Sequence, residues 1–317
     1  MLPFLVRRVL LMVPVLAGII FITFGLLAFA PGSYISLALS SGISNPQVLE
    51  RVRQQLRLDE PWYERFGHYL WDVLHGDLGQ SIVAGQPVIS QLWAALPNTL
   101  ILTISSLLFA VVVSLIAGSL AGARPNTAAD YLASGISVLG VALPSFWLGL
   151  MLILLFSLKL RWLPLGGGGT GNLSQGLWPF LSYLILPTVA LGSELTAILT
   201  RLTRGALLDV LSEDYIRTAR AKGVSPGRVL YRHALRNAAL PLITTAGIQF
   251  GGLLGGAVVV ETIFSWPGMG LLTVSAIQQR DLPMIQGSVL VFATLFVVSV
   301  LITDLLYTLV DPRIQYD

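Results

Sequence analysis

Six stretches of this chain are long, apolar and almost free of charge. They are Val9 to Ala30, Pro97 to Ala121, Leu132 to Leu158, Leu184 to Leu202, Ala238 to Val260 and Met284 to Val310. A helix needs roughly 20 mainly apolar residues to cross a hydrocarbon core about 30 Å thick. Leu, Val, Ile, Ala and Gly fill these stretches, without the polar–apolar alternation of a barrel strand. The pattern predicts an all-α, polytopic membrane protein with six transmembrane helices, built as a single domain over residues 1–317. Pro97, Pro144, Pro187 and Pro241 fall inside or at the start of these stretches. Membrane helices tolerate such prolines because neighbouring helices re-satisfy the freed backbone groups.

The first stretch has a second reading. Arg7 and Arg8 precede an apolar run ending in Ala28-Phe29-Ala30, which imitates a secretory signal peptide. The run exceeds the roughly 7–15 residues of such a segment, and Pro31 follows the apparent cleavage site, so a retained membrane helix is expected.

Polar positions gather between the spans. Residues 31–96 form one long segment, whose middle, QVLERVRQQLRLDEPWYERFGHYLWDVL, has apolar residues at helical spacing among mixed charges. It predicts short amphipathic helices, with Trp62, Tyr63, Tyr69 and Trp71 suited to a membrane interface. A second segment, LRWLPLGGGGTGNLSQG, is Gly-rich and reads as a mobile loop. The third, SEDYIRTARAKGVSPGRVLYRHALRN from Ser212 to Asn237, is basic. Together with Arg201 and Arg204 it holds eight of the 19 Lys and Arg residues.

Composition agrees with the pattern. Only 11% of residues are charged and 55% are hydrophobic, whereas a soluble domain carries about twice that charged share. The absence of cysteine excludes disulfides, thiol catalysis and thiolate metal sites. A net charge of +3 is too small to argue for nucleic acid and fits a membrane surface.

Basic residues in short loops set orientation. With a cytoplasmic N-terminus, twelve Lys and Arg residues lie on the cytoplasmic side, against only Lys159, Arg161 and Arg280 in the short outer loops. The remaining four occupy the long 31–96 segment, where charge is a poor guide. Both termini and the basic stretch are therefore expected in the cytoplasm.

Locally the basic stretch predicts two helices around a break. Ser212 caps a helix with Glu213 and Asp214 in its first turn and Arg220 and Lys222 in its last, and Gly223 stops it. Ser225 and Pro226 restart a second helix as cap and N1 proline. The residues alone fit both a positive-inside loop touching anionic lipid and a docking element for a soluble partner.

The stretch DYIRTARAKGVSPGRVLYRHALRNAALP resembles the cytoplasmic EAA loop of ABC-transporter permeases, in the binding-protein-dependent dipeptide/oligopeptide/nickel family. GDLGQS (76–81), LPNTL (96–100), LPSFWLGL (143–150), ETIFSWPGMG (261–270) and DPRI (311–314) resemble further pieces of that family, in its order. Arg217-Thr218-Ala219 and Gly223 take the Glu-Ala-Ala and Gly positions, departing at the first. The resemblance implies a type I ABC importer permease in a prokaryotic cytoplasmic membrane, carrying peptides, with nickel and glutathione as alternative cargo. It implies a second permease chain, two ATPase subunits using ATP and Mg, and an extracytoplasmic binding protein that would meet the 31–96 segment. Residues 204–237 become the coupling loop, with Asp214, Tyr215, Arg217, Thr218, Ala219, Arg220, Lys222 and Gly223 as the coupling residues. The chain itself has no GxxxxGK[ST] phosphate loop, so it is expected to hydrolyse nothing and to bind no cofactor.

Glu194 and Glu261 are the candidate pathway-lining residues, because an ionisable group in a span is functional unless it is paired. Glu194 lies seven residues before Arg201 on a common face; it either lines the pathway or pairs with the second permease. Asp304, near the end of the sixth span, is expected to pair with a loop arginine. His68 and His75, near Asp72, lack the ligand shell of a metal site and read as a solvated helix face. An ion-gradient transporter is the rival from another class, but the halves show no convincing repeat. A membrane hydrolase lacks a nucleophile–base pair in the spans.

Overall fold

The computed structural model describes residues 2–28 and 59–310, together with residues 50, 53, 54 and 57. The DPRI stretch and most of the first half of the 31–96 segment lie outside the described residues. Among the described residues the chain is helical: α1 (Leu2–Ala28), α2 (Trp62–Leu74), α3 (Val88–Ala123), α4 (Ala128–Ala142), α5 (Ser145–Leu152), α6 (Leu177–Ser212), α7 (Asp214–Ala221), α8 (Pro226–Arg228), α9 (Leu235–Ile263), α10 (Met269–Gln279) and α11 (Leu282–Val310). A π turn follows α5 and another joins α8 to α9. The one β feature among these residues is an isolated bridge between Gln80 and Pro87.

Four helices, Val88–Ala123, Leu177–Ser212, Pro241–Ile263 and Leu282–Leu305, are long and apolar enough to cross a bilayer singly. The apolar stretch Leu10–Gly25 lies within α1. The third predicted span is not a straight helix. It bends by 108° between Ala128–Ala142 and Ser145–Lys159. Leu143 is extended (ψ 123°), the conformation that the ring of Pro144 favours in the residue before it. Pro97, Pro187 and Pro241 sit inside unbroken helices, as expected. The long polar segment is shorter than 31–96, since α3 begins at Val88 and Leu92 is already core.

The chain divides into two compact units, Met1–Asn98 with Pro267–Val297, and Thr99–Trp266 with Val298–Asp317. In the first, Ile20, Leu78, Val88, Leu92, Met269 and Met284 form the core. The amphipathic helix α2 lays Phe66, Tyr69, Leu70 and Val73 against it and leaves Trp62, Tyr63 and Trp71 exposed. The GDLGQS stretch is tied down by Asp281. This buried carboxylate accepts hydrogen bonds from the Ser81 hydroxyl and from the Ile82 amide at 3.2 Å, while it caps α11 through the Met284 amide at 3.4 Å. LPNTL and SWPG also meet, with Asn98 Nδ2 donating to the Pro267 carbonyl at 2.9 Å.

The second unit is built around α6. Of its apolar window 61% is buried, against 28%, 33% and 22% for the other three single spans. Small residues on its neighbours permit this. A Cβ at Gly118 of α3 would sit 2.5 Å from Thr203 Cβ and 2.8 Å from the Thr200 carbonyl oxygen. One turn on, a Cβ at Gly122 would meet Leu207, and one at Gly140 of α4 would lie 2.9 Å from Ala197. Such small residues, four apart, are how membrane helices bring backbones together without a hydrophobic driving force. Thr196, Thr200 and Thr203 return their hydroxyls to carbonyls four residues earlier, so these three polar groups are satisfied within α6. The Gly-rich run makes a close backbone contact: the Gly167 amide donates to the Phe264 carbonyl at 2.7 Å, and a Cβ at Gly166 would stand 2.4 Å from that oxygen. The sequence pattern registered its lack of side chains but not what occupies the space.

Gly118→Ala should force α3 from α6 and lower stability by about 1–3 kcal/mol. Gly135→Ala, at a helical position with nothing within 4 Å, should leave it unchanged or raise it slightly. Thermal unfolding of the purified chain in detergent compares the two; equal losses would show that α3 and α6 do not meet as described.

Candidate functional site

The basic stretch folds as a short helix with a closed end. Glu213, extended at ψ 148°, stands at the N-cap of α7 and Asp214 lies in the first turn. Ser212 is not the cap. It is the last residue of α6, and its hydroxyl donates to the Asp209 carbonyl at 2.7 Å. The C-terminal end follows the sequence expectation. Gly223 has φ +76°, its amide donates to the Arg220 carbonyl at 3.0 Å, and the Val224 amide donates to Ala219 at 3.2 Å. This pair of bonds is a Schellman closure, and Val224 and Ala219 join the same apolar cluster, as that motif favours. Nothing lies within 4 Å of a Cβ at Gly223, so its backbone conformation, not crowding, requires glycine.

Helix α7 rests on a core of its own. Ile216 is fully buried against Leu207 of α6 and Val229, Ala234 and Ala238 of the following helix, with Ala219 and Val224 at the edge. Asp214, Tyr215, Arg217, Thr218, Arg220 and Lys222 remain exposed. Asn237 Nδ2 donates to the Tyr215 hydroxyl at 2.7 Å and Arg217 pairs with Asp214 at 3.2 Å. Of the eight predicted coupling residues, the structure thus turns six outward, uses Ala219 in the seat and Gly223 in the stop. Ser225 and Pro226 restart the chain as N-cap and N1. The helix that follows is continuous but not wholly α: a π turn at Val229–Ala234 carries it into α9.

Sequence reasoning missed Asp130. It is buried in the first turn of α4 and accepts two hydrogen bonds from Arg204, Nε to Oδ1 at 2.5 Å and Nη2 to Oδ2 at 2.8 Å. The Asn126 amide adds a third at 2.9 Å. Arg204 therefore belongs to a fork-shaped internal pair, the geometry that guanidinium and carboxylate share. It fastens α4 to α6 just before α7. Asp130 lies outside every predicted span, so nothing in the sequence marked it as a buried partner for a loop arginine.

The candidate pathway residues separate. Glu261 is completely buried at the end of α9, where its carbonyl accepts from the Trp266 amide at 2.8 Å and Trp266 itself is fully enclosed. Glu194 is exposed and lines a recess of about 260 Å³ with Ser145, Leu191, Leu195, Gln249, Gly252, Leu253 and Gly256. Asp304 is half-buried in α11. His68 lies 3.7 Å from Glu60, and His75 Nδ1 lies 2.8 Å from the Trp71 carbonyl, so the two rings have separate local partners.

Comparison with known proteins covers nearly the whole chain. Residues 114–316 match the family model described as binding-protein-dependent transport system inner membrane component. Residues 1–103 match the model for the N-terminal part of such membrane components. The oligopeptide transport system permease protein AppB of Bacillus subtilis is 43% identical over 99% of both chains. The dipeptide transport system permease protein DppB of Alkalihalophilus pseudofirmus and the glutathione transport system permease protein GsiC of Escherichia coli K12 are each 41% identical over the full length of both.

Arg204→Ala should leave the Asp130 carboxylate enclosed without its fork and lower the unfolding temperature by several degrees. Removing both partners, by Asp130→Ala with Arg204→Ala, should restore part of that loss, because no charge is then stranded. A double-mutant cycle in detergent reads the difference; strict additivity would mean that the pair is not coupled.

Proposed function

We propose, from the fact that the chain belongs to the family of inner-membrane components of binding-protein-dependent transport systems, that it forms one half of the membrane pathway of an ATP-driven peptide importer. The cargo class follows from its relatives, permeases of dipeptide, oligopeptide and glutathione transport systems, glutathione being itself a small peptide. Family membership also displaces the ion-gradient reading. In the proposed assembly a second permease completes the pathway, two ATPase subunits dock from the cytoplasm, and a binding protein delivers peptide from outside. ATP and Mg are consumed by the ATPase chains. Both termini and α7 face the cytoplasm, on the charge asymmetry of the loops.

The observation that carries this reading is the seat of α7. A docking lever must not deform when its partner moves, or the motion is absorbed instead of transmitted. Helix α7 is stopped by the Schellman closure at Gly223 and pinned through Ile216. It also follows α6 with only Glu213 between them. Its exposed face carries Tyr215, Arg217, Thr218 and Arg220, a mixture of aromatic and cationic groups suited to a groove on a soluble protein. An anionic lipid surface would need charge alone.

Gly223→Val should strain the closure by about 1–2 kcal/mol and splay α7. Gly223→Asn, which tolerates a left-handed backbone, should cost less. Both variants should insert normally. The Val variant should lose the co-purifying ATPase and ATP-dependent peptide uptake, while the Asn variant keeps most of both. Equal retention of the ATPase by wild type and the Val variant would remove α7 as the docking element.

A further inference from the structure

Coupling through α7 leaves the recess in the second unit without a role. Its polar groups come from three elements: the Glu194 carboxylate of α6, the Gln249 amide of α9 and the Ser145 hydroxyl in the first turn of α5. Leucines from α6 and α9 supply the apolar wall, and Gly252 leaves space beside Gln249, with nothing within 4 Å of its would-be Cβ. Glu194 makes no hydrogen bond or ion pair with any described residue and is exposed in the recess. A carboxylate within a spanning helix is stable only where water or an opposite charge reaches it.

The chemistry of the lining narrows the visitor. A divalent transition metal calls for imidazole, thiolate or several carboxylates. The recess offers one carboxylate, and no cluster of three or more metal-ligating side chains occurs among the described residues. A primary ammonium asks for less: one negative charge, plus neutral acceptors for its remaining protons, which Gln249 and Ser145 have. The glutamine amide can also donate to a neighbouring carbonyl, so the pair suits an amino group beside a peptide bond. Dipeptides and oligopeptides carry that grouping; glutathione, joined through its γ-carboxyl, has the free amino group without an adjacent amide, and a bare metal ion has neither.

We propose that Glu194 receives the free amino group of the passing peptide, with Gln249 engaging the adjacent amide, and that this recess selects cargo with an unblocked amino end. The inference rests on the peptide-importer reading for its cargo, but the presence of an ammonium site can be read without transport. The chain has no native cysteine, so a single introduced thiol is its only one, and labelling read on this chain after separation from its partners reports on the recess. In vesicles holding the intact assembly, Gly252→Cys is treated with an ammonium-bearing methanethiosulfonate and with a neutral one of similar size. Rates are divided by those on a free thiol.

The ammonium reagent should be favoured by about fivefold or more, the attraction of one unit charge at about 4 Å in water. Glu194→Gln should abolish the preference. A free-amino dipeptide should slow the labelling and its N-acetylated form should not. Gln249→Cys provides a second reporter in case the first thiol disturbs folding. No preference, a preference that survives Glu194→Gln, or equal protection by the acetylated peptide would overturn the proposal. So would thiols unreactive at both positions, or loss of the second permease from the Glu194→Gln assembly, which would assign Glu194 to pairing between permeases. An assembly that shows the ammonium preference yet imports no peptide would instead overturn the peptide-importer reading alone.

Discussion

A Cβ at Gly118 would lie 2.5 Å from Thr203, so α3 and α6 stand as close as they do only because that position is bare. In lipid, apolar surface gains nothing by leaving the hydrocarbon, and helices associate by fitting together. Gly118, Gly122 and Gly140 around α6, and Gly192 on it, where a Cβ would be 2.8 Å from the Ser106 carbonyl oxygen, let its neighbours close in. The enclosed helix then tolerates Pro187, whose Thr188 neighbour shares a 3.1 Å hydrogen bond with Ser105. The Thr188 hydroxyl thus finds a partner on α3, while those of Thr196, Thr200 and Thr203 are satisfied within α6 itself.

The charge on the basic stretch does two kinds of work that composition cannot separate. Arg204 is spent internally, clamping Asp130. Arg217, Arg220 and Lys222 stay in water around a helix whose single large apolar residue, Ile216, faces inward. A surface that served only to hold topology could dispense with both the clamp and the closure. Their joint presence argues that the position of α7 relative to α6 matters.

Most of the architecture was legible because it is written in single-residue chemistry. Apolar runs marked the spans, Ser225-Pro226 marked a restart, and Gly223 marked a stop, each through a conformational preference local to the chain. What escaped depended on residues far apart. Asp130 and Arg204 are separated by 74 positions, and Asp281 reaches Ser81 across 200. The bend at Pro144 escaped for a different reason. A proline in a span either continues or breaks the helix according to its neighbours' packing, and the sequence shows only the proline. The contact of the Gly-rich run with Phe264 was hidden likewise, since absence of side chains is compatible with freedom in water and with close approach. At Glu194 the sequence left lining and pairing open; the structure supplies the recess and its amide and hydroxyl neighbours.

Helix α6 joins the two places where function is proposed. Glu194 and Leu207 lie on it thirteen residues apart, about 20 Å along the axis at 1.5 Å per residue. Leu207 forms the seat of Ile216, and Glu194 forms the wall of the recess. Between them the helix contains no proline, and its threonines are bonded back onto it. A rod of that kind cannot absorb displacement in a local hinge. In the proposed coupling, movement imposed on α7 would reach α6 through Leu207 and α9 through Ala238, the two helices that carry Glu194 and Gln249. The same packing that encloses α6 would then let an event at α7 alter the recess proposed to receive a peptide's amino group.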